Sequence, residues 1–288
     1  MLRRVEDMKK RFVILLAMLY LVYFIALVVQ NDIIGDILSP MLTILALLPV
    51  LLGFYKKEKN ELLKVSGLFL VLAIFAWFSS DFMWAFSELV LRINPENSQL
   101  ISYGYVLTNL FLVMSLIVLG YLQLKRWNRM QIFLDTVMVA ISVNVLVWVF
   151  IFEQDLAKAA VLFTDPVSMF SLVTDILIFA WTTIWFFSVR NCNISFAVKI
   201  AATGGIIFVA TDIIYYYVYF YQTYEPNSLL DGGYIIAFAL MGMGGWIKLK
   251  KSDEIKKSEV EQQTGLIRFR KELFFLAVPL LLLIFKGT

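Results

Sequence analysis

Long runs of apolar residues dominate this chain, and the first of them, residues 12–29, reads FVILLAMLYLVYFIALVV. About 20 such residues in an α-helix cross the ~30 Å hydrocarbon core of a bilayer. Backbone groups in lipid must bond within their own segment, so runs of this length are expected to be helices. The composition agrees, because 61% of the residues are hydrophobic and 16% are charged. We therefore predict an all-α, polytopic helical bundle in the cell membrane.

Eight runs are long enough to be complete membrane spans, and a partial ninth begins near Leu273. The predicted limits are 12–30, 37–55, 65–89, 101–122, 131–152, 167–188, 198–221 and 231–247. Basic residues cluster before the first span and after each even-numbered span. Lys and Arg favour the cytoplasmic side, so the N-terminus is predicted to be cytoplasmic. The ninth run is short for a span, and the sequence is expected to stop near the end of a truncated helix.

Matching residues recur at an interval of 131 positions. The matched pairs are Asp81 with Asp212, Trp84 with Tyr215, Pro95 with Pro226, and Tyr103 with Tyr234. A looser match pairs Ser39-Pro40, at the opening of span 2, with Asp165-Pro166, at the opening of span 6. Each copy holds four spans, so the copies share one orientation and predict a pseudo-twofold axis along the membrane normal. The sequence thus divides into a first four-helix repeat (1–130) and a second (131–248), followed by a charged cytoplasmic loop (249–271) and the start of helix nine (272–288).

Acidic residues within the predicted spans are the main candidates for function. An ionised Asp at a helix centre costs about 2.5–3.5 kcal/mol to insert, unless it faces water or a donor or carries a proton. One interpretation is an outward-facing pocket for a small cation, an amine, an amphipathic signal molecule or a proton. Its residues would be Asp81, Asp212, Trp77, Trp84, Tyr103, Tyr215 and Tyr234. Asp175 either faces the same interior or is a separate polar clamp. The alternative is structural: hydrogen bonds tie span 3 to span 4 and span 7 to span 8, and the aromatic residues form an interfacial belt.

Other features favour packing over chemistry. Asn109 and Asn144 lie mid-span and are expected to hydrogen-bond between helices. The GMGG stretch at 242–245 lies inside a span, where glycines serve close helix packing. Histidine is absent and there is one cysteine, so we predict no metal and no cofactor. No nucleophile constellation is present, so the chain is not expected to be an enzyme. The dispersed basic residues predict contact with membrane lipids and not with nucleic acid.

Three stretches resemble the N-terminal membrane modules of bacterial multi-pass signalling proteins that end in GGDEF or GGDEF–EAL domains. They are RWNRMQIFLDTVMVAISVNVLVWVF at 126–150, FVATDIIYYYVYF at 208–220 and LLDGGYIIAFALMGMGGW at 229–246. The resemblance implies a sensory input module in the bacterial inner membrane that regulates cyclic di-GMP synthesis or hydrolysis. The catalytic domain, a diguanylate cyclase or phosphodiesterase, would follow in the parent protein, which would form a homodimer.

Two other functions stay open. Some histidine kinases carry comparable membrane modules, so the output could be phosphorylation. A secondary transporter or permease is favoured by the repeat and by the acids within spans. A pathway continuous between both faces would favour the transporter, whereas a pocket open only to the outside would favour the sensor.

Overall fold

The computed structural model describes residues 2–56, 58, 60–95, 98–123, 134, 137–142, 145, 149, 166–188, 195–221 and 224–251. The helices with defined bounds are α1 (Leu2–Val29), α2 (Asp32–Val50), α3 (Glu61–Ala85), α4 (Gln99–Gln123), α5 (Pro166–Ser188), α6 (Phe196–Tyr221) and α7 (Asp231–Lys251). Wider π-type turns extend α2 over Leu51–Lys56 and α3 over Phe86–Leu91. Residues 137–142 are also helical. Asn144, most of the predicted fifth span, most of the charged loop and the ninth run lie outside the described residues.

Five helical segments are long and apolar enough to cross a membrane. They are Asp32–Lys56, Leu63–Leu91, Gln99–Leu119, Phe196–Tyr219 and Asp231–Leu249. Large apolar side chains, including Phe75, Phe82 and Met243, are exposed on the outer surfaces of these helices, as suits a protein that faces lipid. The described chain is therefore all-α, with five helices able to span a bilayer, while the eight-span count stays a prediction.

The second span starts earlier than the sequence predicted. Helix α2 begins at Asp32, and the side chain of Asn31 accepts a hydrogen bond from the Ile34 amide at 3.1 Å, which caps the helix. Pro40 lies inside the helix and is buried. Proline is tolerated within membrane helices because neighbouring groups compensate for its missing N–H. Ser39-Pro40 therefore lies within the helix and does not open it, whereas its match with Asp165-Pro166 stays a prediction, since residue 165 lies outside the described residues.

Contacts between the described helices close a ring of six. Each of α2 to α6 packs on the next helix in sequence, and α7 packs back on α2. All six contribute buried side chains to one core cluster, among them Val50, Ile74, Leu112, Ile178, Phe208 and Phe238. Helix α1 lies outside this ring against α2, where Tyr23 and Leu27 pack with Leu38, Leu42 and Ile235. The centre of the ring is thus where side chains from both halves of the sequence meet.

Glycines in α7 allow unusually close helix contacts. A Cβ on Gly245 would lie 2.5 Å from the carbonyl oxygen of Pro49 in α2. A Cβ on Gly244 would lie 2.5 Å from the carbonyl oxygen of Ala197 in α6. These distances leave no room for a side chain, so the backbone of α7 packs directly against both neighbours. The predicted packing role of the GMGG stretch is confirmed.

Candidate functional site

Asp81 accepts hydrogen bonds from three helices. Ser39 Oγ of α2 donates at 2.6 Å, Trp77 Nε1 of α3 at 3.1 Å and Tyr105 OH of α4 at 3.0 Å. The carboxyl group is partly buried. All three donors carry their hydrogen permanently, so they compensate a carboxylate that has left water. Asp81 therefore ties α2, α3 and α4 together at one point.

Asp212 and Asp175 form a second acidic centre, called the carboxyl pair below. Asp212 on α6 accepts a hydrogen bond from Tyr234 OH of α7 at 2.6 Å. Asp175 on α5 accepts one from Asn109 Nδ2 of α4 at 2.7 Å, which confirms the interhelical bond predicted for Asn109. Helices α5 and α6 pack together and bring the two carboxyl groups close enough to act on each other electrostatically. The carboxyl pair thus joins four consecutive helices of the ring, α4 to α7.

An aromatic cluster lies between the two acidic centres. The indole of Trp77 is at its middle, with ring centroids 4.6 Å from both Tyr105 and Tyr234, 5.4 Å from Phe208 and 5.3 Å from Phe238. Trp77 is 9% exposed. Aromatic pairs at such distances contribute about 0.5–1.5 kcal/mol each beyond burial. The Trp77 ring therefore contacts both Tyr105, which bonds Asp81, and Tyr234, which bonds Asp212.

The two centres share a local pattern that a gap-free alignment misses. In the first, Ser80 precedes Asp81 on α3 and packs against Gly104 of α4. In the second, Thr211 precedes Asp212 on α6 and packs against Gly233 of α7. A side chain on either glycine would collide with the facing hydroxyl. In both, the tyrosine directly after the glycine donates to the acid, so Gly-Tyr at 104–105 matches Gly-Tyr at 233–234.

Three predicted aromatic residues lie outside the aromatic cluster. Tyr103 was matched with Tyr234 on sequence, but it is 50% exposed, and Tyr105 bonds the acid instead. Trp84 donates from Nε1 to Glu88 Oε2 at 3.0 Å within its own helix. Tyr215 packs against Tyr224 at 4.9 Å, within a group of tyrosines. The structure therefore brings together Trp77, Asp81, Asp175, Asp212 and Tyr234, and places the other three elsewhere.

A further acidic group was missed by sequence reasoning. Asp36 on α2 accepts a hydrogen bond from Asn227 Nδ2 at 2.9 Å, and its Oδ2 is buried without a hydrogen-bond partner in the described structure. Asp231, at the start of α7, accepts from Tyr224 OH at 2.8 Å. Burial, and then the Asp231 carboxylate, raise the pKa of Tyr224 well above its usual value, so this phenol stays a donor. Asp36 precedes the predicted limit of span 2, which is why it was not counted as an in-span acid.

Comparisons with known proteins add no family. No family model, curated protein or solved structure matches this chain. Within the described residues, no group of three or more His, Cys, Asp and Glu side chains is placed to hold a metal ion. The chemistry of the site must therefore be argued from its acids, phenols and amides.

Replacing Tyr105 with phenylalanine tests the first centre. The change removes one of three donors to Asp81 and keeps the aromatic side chain, so we expect a loss of about 1–2 kcal/mol in unfolding free energy. Tyr103→Phe is the matched control, because its exposed hydroxyl should contribute less than about 0.5 kcal/mol. Both are measured by denaturant unfolding in detergent micelles. Equal losses in the two variants would contradict the assignment of Tyr105.

Proposed function

We propose that this chain is the sensory input module of a bacterial membrane signalling protein, with its N-terminus in the cytoplasm. The observation that carries the proposal is the pair of acidic centres joined by Trp77, whose ring contacts both tyrosines that donate to the acids. A ligand or proton that alters either centre changes contacts across the whole ring of helices. It will shift the packing only if it binds one arrangement better than another.

The two-fold organisation of the chain supports this proposal. We infer that spans 1–4 and 5–8 are like-oriented repeats, because each half supplies an Asp, a packed glycine and a donor tyrosine in the same arrangement. Trp77 and Phe208 lie 131 positions apart in sequence, and their ring centroids are 5.4 Å apart. Contact between equivalent positions is what a pseudo-twofold axis near them requires. The signal would then act by changing how the two halves pack.

The chemistry of the site supports an outer cation, amine or proton as the signal. Both acids lie in the halves of their helices that face outward in the proposed topology. Lys and Arg are absent from residues 65–91, 99–123, 166–188, 200–221 and 231–247. The site thus offers negative charge and aromatic faces, which suit cations. The resemblance to GGDEF-associated modules makes cyclic di-GMP synthesis or hydrolysis the favoured output, with histidine kinase activity as the other candidate.

The test replaces Asp81 and Asp212 together with asparagine in the full-length protein. Asparagine keeps the shape and removes the charge. We expect the signal-dependent change in output to fall at least about fivefold, the lower end of usual allosteric coupling, with membrane insertion unchanged. Output is measured as cyclic di-GMP level, or as autophosphorylation if a kinase domain follows. Asp32→Asn is the control, because Asp32 is exposed in the first turn of α2. An unchanged response in the double variant would leave the acids a purely structural role.

A secondary transporter is the second candidate, and buried acids with unpartnered oxygens favour it. Asp36 Oδ2 and Asp175 Oδ2 are both buried without hydrogen-bond partners among the described residues, as in sites that exchange ions. Flux assays on proteoliposomes separate the two functions. Sustained cation or proton flux that is lost in Asp212→Asn would decide for the transporter and against the sensor.

A further inference from the structure

The carboxyl pair lacks a donor that the first acidic centre has. In the first centre, Ser39 of the preceding helix α2 donates to Asp81. In the second, the preceding helix in the ring is α5, and it brings Asp175 to Asp212. A hydroxyl always has a hydrogen to donate. A carboxyl group donates only when it is protonated, because an ionised carboxylate is purely an acceptor.

Among the described residues, the Asn109 amide and the Tyr234 phenol are the donors beside the carboxyl pair, and Asn109 acts on both acids. Asp175 is 1% exposed, and its Oδ1 already accepts from Asn109. Its Oδ2 is buried and receives no hydrogen bond from any described donor. Tyr234 donates to the other acid, Asp212. An unpartnered, fully buried carboxylate oxygen beside a second carboxylate is a costly arrangement unless a positive charge lies between them.

No basic side chain of the four helices that meet at the pair is available to provide that charge. Helices α4 and α5 contain no Lys or Arg. Lys199 of α6 and Lys248, Lys250 and Lys251 of α7 lie at the helix ends remote from the acids. The titratable groups that face the pair from these helices are the phenols of Tyr216 and Tyr234. Farther away, Asp231 and Tyr224 act on Tyr234. All of these are neutral or acidic, so no described side chain of these four helices supplies a compensating positive charge, and a proton can do so.

We propose that Asp175 and Asp212 form a proton-binding site that holds one proton between α5 and α6. With the proton in place, one carboxyl group donates to the other and the two helices are joined. Without it, two carboxylates face each other in a medium of low dielectric and repel. Asp175 is the more deeply buried of the two residues, and Asp212 is of intermediate exposure. The idea that this proton is the signal rests on the proposed sensory function. The idea that the pair binds a proton does not.

The experiment follows melting temperature against pH for the purified chain in detergent, from about pH 5 to about pH 9. The folded state holds a proton that the unfolded state releases, so stability falls as pH rises. We expect the melting temperature of the wild type to fall by several degrees over this range. Asp175→Asn should reduce that fall, because its amide donates to Asp212 without needing a proton. Asp212→Asn should reduce it equally, because its amide donates to Asp175.

The double variant distinguishes a shared proton from two independent ones. If one proton serves both acids, Asp175→Asn with Asp212→Asn reduces the pH-dependent fall no further than either single variant. Additive reductions would overturn the proposal, as would a wild type whose melting temperature does not respond to pH. Asp32→Asn is the control and should leave the fall unchanged. A fall reduced in that variant as much as in Asp175→Asn would place the response outside the carboxyl pair and would also overturn the proposal.

A second measurement covers variants that fail to fold. Asp175→Ser places a hydroxyl donor at the position that Ser39 has in the first centre, and it should also reduce the pH-dependent fall in melting temperature. Infrared spectroscopy of the wild type detects the carbonyl band of an un-ionised carboxyl group. We expect that band to disappear over the pH range in which the melting temperature falls. Its absence from the wild type would overturn the proposal, and so would a band of unchanged intensity in the double variant, because that band would belong to another buried acid such as Asp36. Neither measurement uses signalling output, so a proton site can be confirmed even if the sensory function is wrong.

Discussion

Replacing Trp77 with alanine is expected to lower the unfolding free energy by about 3 kcal/mol, the largest loss that we predict for a single side chain. The indole contacts four other rings in the aromatic cluster. It also donates to Asp81 at 3.1 Å. Alanine removes all of these contacts and leaves a cavity where the two halves of the ring meet. The figure is the lower end of the range for buried aromatic residues, because lipid is as apolar as the protein interior.

Phe82→Ala is the matched control for this prediction. Phe82 lies one turn and a half further along α3 and is exposed on the outer surface, so its loss should change stability by less than about 0.5 kcal/mol. Trp77→Phe separates the two contributions, since it keeps a ring and loses the N–H donor, and should cost about 1 kcal/mol. Denaturant unfolding in micelles measures all three. A loss in Trp77→Ala no greater than that in Phe82→Ala would show that the aromatic cluster does not hold the ring together.

The positions of the helices were largely predictable from sequence, because the length of an apolar run is set by the bilayer and needs no knowledge of tertiary contacts. The second span was misplaced at its start because Pro40 suggested a helix opening. In lipid, the neighbours of a helix compensate for an interior proline. The real start is marked by Asn31, whose capping side chain is a signal that the sequence does carry.

The acids could be predicted as unusual, but not which side chains bond them. Asp81 and Asp212 stand out because charge is rare in apolar runs. Tyr103 and Tyr105 are two positions apart on one helix, and only their rotation about its axis decides which one faces Asp81. Asp175 and Asn109 come from helices far apart in sequence, so their contact depends on ring closure, which no local pattern encodes. The repeated Gly-Tyr dipeptide was the available signal, because a glycine marks where two helices approach most closely.

Replacing Gly245 with alanine should lower the unfolding free energy, and this is the second large effect that we expect. The same replacement at a matched glycine should not lower it. The new Cβ would meet three backbone atoms of α2: Pro49 O at 2.5 Å, Pro49 C at 2.6 Å and Val50 N at 2.7 Å. Backbone cannot rotate away as a side chain can, so α7 and α2 must move apart. Overpacking of this kind costs roughly 1–3 kcal/mol. The packing of α7 on α2 closes the ring of helices, so this substitution opens the ring at that interface.

Gly205→Ala provides the control, because the nearest atom to its added Cβ would be Thr182 Cγ2 at 3.4 Å, an ordinary contact. Alanine is the better helix former by about 1 kcal/mol, so this variant should be neutral or slightly more stable. The same propensity gain of about 1 kcal/mol applies to Gly245→Ala, so the collision cost is the net loss there plus the gain seen in Gly205→Ala. Denaturant unfolding in micelles compares the two variants. If both gain stability, α2 and α7 are not in backbone contact, and the closed ring that brings the two acidic centres together is wrong.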